Sequence, residues 1–131
     1  MALGATGSAI GCMIGGTSLA GAMTRTKEGH GALIAMSAAP SSQSIYGLVL
    51  MMVLKGKLAL ENPPAAAVFL AVGILCGIAI MVSAMMQGRC CASGIRATLD
   101  EKSVYGKCWI PVGMTESFAV FAMVFGMIAI G

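Results

Sequence analysis

Four apolar runs, separated by three short polar segments, dominate this sequence of 131 residues. The runs are Met1 to Met23, about Ala32 to Leu54, about Pro64 to Gly88, and about Cys108 to Gly131. Each run has about 20 residues or slightly more, the length that an α-helix needs to cross the ~30 Å hydrocarbon core of a bilayer. The pattern predicts an all-α membrane protein with four transmembrane helices.

The composition excludes an ordinary soluble domain. Hydrophobic residues make up 58% of the chain and charged residues only 10%, whereas soluble domains have roughly 25% charged residues. A soluble helical bundle would also show polar outer faces, and barrel strands would be shorter with alternating polarity. The net charge of +3 comes from basic residues beside the apolar runs. We interpret it as a topology signal and expect no nucleic-acid partner.

The basic residues predict the orientation of the chain. Segments 24–30 and 89–107 lie on the same side of the membrane, since two predicted helices separate them. Together they hold six of the eight Lys and Arg residues, and the middle loop, 55–63, holds the other two. The positive-inside rule therefore predicts that segments 24–30 and 89–107 are cytoplasmic, with both termini on the outer or lumenal side.

Glycines spaced four residues apart mark helix-packing faces. They are Gly7, Gly11 and Gly15 in the first run, and Gly73 and Gly77 in the third. This spacing puts the glycines on one helix face, where backbones can approach closely. The pattern fits ordinary packing within one chain, and it also fits a crowded inner ring made by helices one and three of many copies.

The two halves of the chain are predicted to be repeats of one helical hairpin, an arrangement found in membrane transport proteins. The stretch beginning at Gly15 parallels the one at Gln87, and the stretch beginning at Pro40 parallels the one at Thr115. In this alignment Glu116 falls opposite Ser41, so only the second hairpin keeps a carboxylate. We predict three units, namely a degenerate first hairpin at 1–54, an outer loop at 55–63, and a second hairpin at 64–131 that carries Glu116.

Glu116 is the only acidic residue inside an apolar run. A carboxylate in hydrocarbon is costly unless it is protonated, paired with a basic residue or bound to a cation. The predicted helices place no Lys or Arg at a comparable depth, so we expect no fixed basic partner. Glu116 is therefore the residue predicted to carry the function.

Other polar groups are predicted at the depth of Glu116. Ser42, Gln43 and Tyr46 lie within about one turn of the second helix, and Gln87 lies near the end of the third. Either glutamine alone could serve as an interhelical hydrogen-bonding residue. Both together with Glu116 favour a cation site, because carboxylate, amide and hydroxyl oxygens are hard ligands that suit Na⁺. A proton would need only the carboxylate.

Pro40 interrupts the second helix next to these polar residues. Because proline has no backbone N–H, we expect a carbonyl one turn earlier, near Met36, to lose its helical partner. Carbonyls around this kink, including that of Ala39, would then be free to turn toward a ligand.

Three stretches of the chain resemble one protein family. Pro40-Ser-Ser-Gln-Ser-Ile-Tyr-Gly-Leu-Val, Met86-Gln-Gly-Arg and Gly113-Met-Thr-Glu-Ser-Phe-Ala-Val are similar to the rotor-ring proteolipid of V-type (V/A-type) ATPases, the c/K proteolipid. The resemblance covers nearly the whole chain. It implies a homo-oligomeric ring in the membrane lipid, with helices one and three inside, that carries H⁺ or Na⁺ on the glutamate of helix four. The implied partners are a stator subunit of the a/I type and the central stalk of the soluble ATPase head.

The resemblance also implies a ligand set for Na⁺. In the sodium-binding members the ligands are a backbone carbonyl, a hydroxyl and a glutamine of helix two, a glutamine of helix three and the glutamate. Those positions fall here on Ala39, Ser42, Gln43, Gln87 and Glu116, and Tyr46 matches the tyrosine that hydrogen-bonds the glutamate. Ser42 stands where the sodium-binding pattern has threonine. We expect neither an ATP-hydrolysing site nor an organic cofactor on this chain.

Two other classes of function are compatible with the length and the single intramembrane carboxylate. One is a small four-helix exporter that works as a dimer and exchanges protons for cationic drugs. The other is a structural membrane subunit with no ion site. Assembly size separates the exporter from the ring, and replacement of Glu116 by Gln separates the structural subunit from both.

Overall fold

The computed structural model describes residues 1–61 and 65–131, and every regular element in these ranges is helical. The helices are α1 (Ala2–Met23), α2 (His30–Ala38), α3 (Ser42–Leu58), α4 (Ala66–Asp100) and α5 (Tyr105–Ala129). A 3₁₀ turn at Ala39–Ser41 joins α2 to α3, and a second at Lys102–Val104 precedes α5. The predicted all-α membrane fold is confirmed, with α2 and α3 together forming the second predicted helix.

Three stretches of the described residues are long and apolar enough to cross a membrane, namely His30–Leu58, Ala66–Asp100 and Lys102–Ala129. The remaining predicted span, α1, has 22 residues and no charged side chain. Its many Gly, Ser and Thr residues reduce its hydropathy, because small residues serve helix packing better than contact with lipid.

The prediction of a loop at 89–107 is wrong for most of this segment. Helix α4 continues through this segment to Asp100, and α5 begins at Tyr105. The segment looked like a loop because it carries charged and small residues. However, Cys91, Ala92 and Ile95 are buried and give it an apolar face that packs against the bundle.

The connection between α4 and α5 is therefore short. The carboxylate of Glu101 accepts the backbone N–H of Ser103 at 3.0 Å. This backbone hydrogen bond lowers the pKa of Glu101 below its ordinary value. At the other end of the molecule, α3 runs to Leu58 and so extends into the predicted outer loop at 55–63. Residues 62 and 63 of that loop, and residue 64 at the start of the second predicted hairpin, lie outside the described residues.

Helices α1 and α4 pack with their backbones in contact at glycines. A Cβ added to Gly88 would lie 2.6 Å from the Cα of Gly11, and one added to Gly7 would lie 2.6 Å from the Cα of Met81. A Cβ added to Gly15 would lie 3.0 Å from the carbonyl oxygen of Ser37 in α2. The glycine face of α1 is thus used for packing within the chain.

The first and third connections meet at one end of the bundle, as the predicted topology requires. Lys102 lies 3.9 Å from the carboxylate of Glu28. Close by, the hydroxyl of Tyr105 donates to the backbone carbonyl of Ala32 at 3.2 Å. The assignment of this end to the cytoplasm stays a prediction.

Candidate functional site

Glu116 lies near the middle of α5, and its two carboxylate oxygens face donors from two other helices. The hydroxyl of Tyr46 in α3 donates to Oε1 at 2.7 Å. The side-chain N–H of Gln87 in α4 lies 3.5 Å from Oε2, a long contact. Both neighbours donate, so the carboxylate is held in place by hydrogen bonds from α3 and α4.

The two glutamines form a buried pair behind Glu116. The side-chain N–H of Gln43 donates to Oε1 of Gln87 at 2.7 Å, and the Gln87 N–H donates to the carbonyl of Val112 at 3.1 Å. Both glutamine side chains are fully buried. A buried polar group left without a partner costs about 1–3 kcal/mol, so this network fixes how α3, α4 and α5 face one another.

The turn at Pro40 brings three oxygens together next to the glutamine pair. The Ser42 hydroxyl lies 3.1 Å from the carbonyl oxygen of Ala39 and 3.3 Å from Oε1 of Gln43. A backbone carbonyl, a hydroxyl and an amide oxygen therefore lie side by side within one turn. Such oxygens are the donor set that hard cations prefer.

The expectation for the carbonyl near Met36 is wrong. The backbone N–H of Ala39 donates to the carbonyl of Met36, because the chain tightens into a 3₁₀ turn at this point. Proline deprives one carbonyl of its usual partner, and the tighter turn supplies another donor. The carbonyl nearest the glutamines is that of Ala39, which accepts both the backbone N–H and the hydroxyl of Ser42.

The structure brings all six sequence-predicted site residues into one connected group. Hydrogen bonds link Ala39, Ser42, Gln43, Gln87, Glu116 and Tyr46 in that order. The group draws on the Pro40 turn, α3, α4 and α5, so both hairpins contribute to it. That these residues bind an ion stays a prediction.

Sequence reasoning missed a second contact between α4 and α5. The hydroxyl of Ser83 donates to the backbone carbonyl of Thr115, the residue before Glu116. Ser83 lies one turn before Gln87 on the same face of α4, and a hydroxyl within an apolar run was the available signal. This bond ties the backbone at Glu116 to α4.

The expectation that no basic residue lies at the depth of Glu116 is also wrong. Arg89 belongs to α4 and lies two residues after Gln87. Two helical positions correspond to ~200° of rotation, so Arg89 projects from the opposite side of α4. Among residues 1–61 and 65–131, no Lys or Arg lies within 4.0 Å of Glu116. Arg89 therefore lies at the depth of Glu116 but is not its partner, because the Arg89 side chain points away from Glu116.

The outward face of α5 around Glu116 is apolar. Met114, Phe118 and Phe121 are exposed on this helix, with 65% of Phe118 accessible. The Phe118 and Phe121 rings pack edge to face, with centroids 6.4 Å apart. Because Glu116 is only partly buried between such residues, a charge on it would stand next to hydrocarbon.

The fold and this cluster define a multi-pass membrane protein of two helical hairpins with a polar, carboxylate-bearing group near mid-membrane. Residues 1–54 and 70–129 match the family model for the ATP synthase C subunit, and this chain belongs to that family. The two matched segments correspond to the two hairpins. The predicted resemblance to the c/K proteolipids is confirmed.

A curated relative supports the same assignment. The K subunit of the A-type ATP synthase of Methanocaldococcus jannaschii is 27% identical over 122 residues, which are 93% of this chain and 54% of that protein. The chain therefore spans about half the length of the curated relative it matches. Family membership favours the rotor-ring interpretation over the exporter and over a structural subunit.

Proposed function

We propose that this chain is an ion-carrying subunit of the rotor ring of a V/A-type ATPase. It binds Na⁺ reversibly at Glu116 and carries the ion across the membrane as ATP hydrolysis turns the ring. The observation that supports this proposal is the buried hydrogen-bonded group that joins Glu116 to two glutamines and to the oxygens of the Pro40 turn.

The choice of Na⁺ over H⁺ follows from the number of oxygens. A proton carrier needs the carboxylate and one hydrogen-bond partner, which Tyr46 supplies. Two fully buried amides are then unnecessary for transport. Because an amide presents its oxygen or its NH₂ group according to its last torsion angle, rotation of the Gln87 side chain exchanges a donor for an acceptor toward Glu116. The amides, the Ser42 hydroxyl and the Ala39 carbonyl then serve as ligands for Na⁺.

Neutralisation of the Glu116 carboxylate by a bound cation explains how this residue can lie against an apolar environment while the ring turns. A charged side chain at the bilayer centre costs about 2.5 kcal/mol or more, and exposed Phe118 and Phe121 flank Glu116. One bound monovalent cation cancels the single negative charge, whereas a divalent cation would leave net charge. Release occurs where a basic group of the stator competes for the carboxylate.

The partners follow from this proposal. A closed ring of identical chains carries the ions, a membrane subunit of the a/I type supplies the entry and exit paths, and a central stalk docks on the end of the bundle formed by 24–30 and the α4–α5 connection. That end carries Glu28, Lys102 and other charged side chains at the surface, as a polar docking surface requires.

The test is labelling of Glu116 with dicyclohexylcarbodiimide, a reagent that modifies carboxyl groups. Millimolar Na⁺ at neutral pH is expected to slow labelling at least tenfold, while the same concentration of choline does not. If Na⁺ does not affect labelling but labelling slows as the pH rises, the carried ion is H⁺ and the Na⁺ proposal is wrong. Glu116→Gln in the assembled complex is expected to abolish transport, and transport that survives would refute the role of Glu116.

A further inference from the structure

A second polar feature lies at the end of the bundle where α1 finishes, away from Glu116. A cleft of about 330 Å³ opens between α1 and α4 and is lined by Thr17, Ser18, Arg25, Arg96 and Leu99, among others. Arg96 projects from α4 across the cleft, and its guanidinium donates to the Ser18 hydroxyl at 3.3 Å. Arg25 stands two residues beyond the end of α1. The cleft is thus lined by two arginines and two hydroxyl-bearing residues.

The two arginines are not neutralised within the part of the chain that the structure describes. No carboxylate lines this cleft. Glu28 and Asp100 border the adjacent cleft, which shares Arg25, but neither lies within 4.0 Å of a guanidinium group. Two arginines beside the Ser18 hydroxyl match a phosphate, because arginine presents parallel N–H donors to paired phosphate oxygens.

The depth of the cleft can be estimated from helix geometry. Glu116 lies near the middle of α5, so the bilayer midplane passes close to it and to its neighbour Gln87. Arg96 is nine residues further along α4 than Gln87, or about 14 Å at 1.5 Å per residue. The hydrocarbon core ends ~15 Å from the midplane. Arg96 therefore reaches the boundary between hydrocarbon and lipid headgroups.

Arg25 lies somewhat further out. Gly11 of α1 contacts Gly88, which neighbours Gln87, and Arg25 follows Gly11 by fourteen residues. At helical rise this distance is about 21 Å, near the outer limit of the headgroup region at ~20–22 Å from the midplane. The two arginines therefore bracket the depth at which lipid phosphates lie.

We propose that this cleft binds the phosphate of an anionic phospholipid. Arg25 and Arg96 hold the phosphate, and the Ser18 hydroxyl, which accepts from Arg96, donates a further hydrogen bond. An acyl chain extends toward the bilayer centre past Met13, which is exposed one turn before Thr17 on the same face of α1. This path for an acyl chain and the depth favour a lipid over a free phosphate ion.

The experiment measures lipid retention by native mass spectrometry of the assembled protein, titrated with phosphatidylglycerol or phosphatidylcholine. The parent is expected to bind phosphatidylglycerol at least tenfold more tightly than phosphatidylcholine. Arg25→Gln with Arg96→Gln is expected to remove this preference. The matched control is Lys57→Gln with Lys107→Gln, which removes the same charge outside the cleft; Lys107 precedes Glu116 by nine residues and so has a depth similar to that of Arg96. The control is expected to stay within twofold of the parent.

The proposal is overturned by equal retention of the two lipids, by an equal loss in the control, or by no loss in the arginine variant. It also fails if inorganic phosphate displaces phosphatidylglycerol at equal concentration, which would identify a free anion as the ligand. If the arginine variant loses attachment to soluble partners while its lipid retention is unchanged, the cleft binds a protein and the lipid proposal is wrong. Should the glutamine variant unfold, Arg25→Lys with Arg96→Lys decides, because lysine keeps the charge but not the paired donors and is expected to weaken retention several-fold.

Discussion

The side-chain amides of Gln43 and Gln87 are joined by an N–H···O hydrogen bond of 2.7 Å, although the two residues are 44 positions apart. The bond connects α3 to α4 and is fully buried. Through it, the oxygens of the Pro40 turn are linked to the amide that lies beside Glu116. A change at Gln43 is therefore expected to reach Glu116 even though Gln43 does not contact it in this network.

The glutamine pair gives a test that separates structural and ligand roles. Gln87→Leu leaves the buried side-chain N–H of Gln43 without its acceptor, so we expect a loss of about 1–3 kcal/mol of stability. Gln43→Leu with Gln87→Leu removes both amides and is expected to recover most of that stability, because the two leucines can pack together. The measurements are the thermal unfolding midpoint and the Na⁺ concentration that half-protects Glu116 from dicyclohexylcarbodiimide.

The two measurements are expected to diverge. The double variant should unfold near the parental temperature yet require at least tenfold more Na⁺ for half-protection, since two of the proposed ligands are gone. If the double variant is protected at the parental Na⁺ concentration, the glutamines are packing residues only and the proposed ligand set is wrong.

Some contacts of the site could be predicted from residue type and position, whereas others depend on how the helices are rotated relative to one another. Gln43 and Gln87 could be predicted because amides in apolar runs are conspicuous, and their depth follows from their position along the run. The bond from Gln87 to the Val112 carbonyl could not be predicted. Every residue has a backbone carbonyl, so the choice of partner depends on the rotation of α4 relative to α5, which no residue count gives.

The fold shows the same division. The apolar runs predicted the helices, but the extension of α4 to Asp100 was missed. Beyond Arg89 the helix has only one apolar face, which includes Ile95. Because its other faces are polar, this segment does not form a continuous apolar run and was predicted to be a loop. Arg89 points to the opposite side of α4 from Gln87. This direction can be predicted only once the segment is known to be helical.

The hydroxyl of Tyr46 gives a second prediction. Tyr46→Phe removes the donor that lies 2.7 Å from Glu116 Oε1 and leaves the ring in place. A hydrogen bond to a charged group contributes about 1.5–3 kcal/mol, so half-protection of Glu116 is expected to need at least tenfold more Na⁺. Tyr105→Phe is the control, because its hydroxyl bonds to the Ala32 carbonyl at the start of α5, away from Glu116. Equal effects of the two changes would show that Tyr46 has no special part in the site.

Ser83 gives a third prediction, which concerns how α5 is held. Ser83→Ala removes the hydrogen bond to the carbonyl of Thr115 and is expected to cost about 1 kcal/mol of stability. Ser93→Ala is the control on the same helix, because Ser93 is exposed, and it is expected to be neutral. Thermal unfolding in detergent makes the comparison. A Ser83 variant as stable as the Ser93 variant would mean that other contacts suffice to position Glu116 against α4.

The close approach of α1 to α4 gives the last prediction. A Cβ at Gly11 would lie 2.7 Å from Cβ of Pro40 and also overlap the Ala84 carbonyl, so Gly11→Ala must push α1 away from the turn that presents the site oxygens. Overpacking of this kind costs about 1–3 kcal/mol. Gly16→Ala on the same helix is the control, because a Cβ added there has no atom of another described element within 4 Å. We expect Gly11→Ala to lower the unfolding temperature and also raise the Na⁺ requirement for protection of Glu116, while Gly16→Ala changes neither. If Gly11→Ala lowers stability but leaves Na⁺ protection intact, the Pro40 turn does not contribute to ion binding, since its displacement would then have no effect at Glu116.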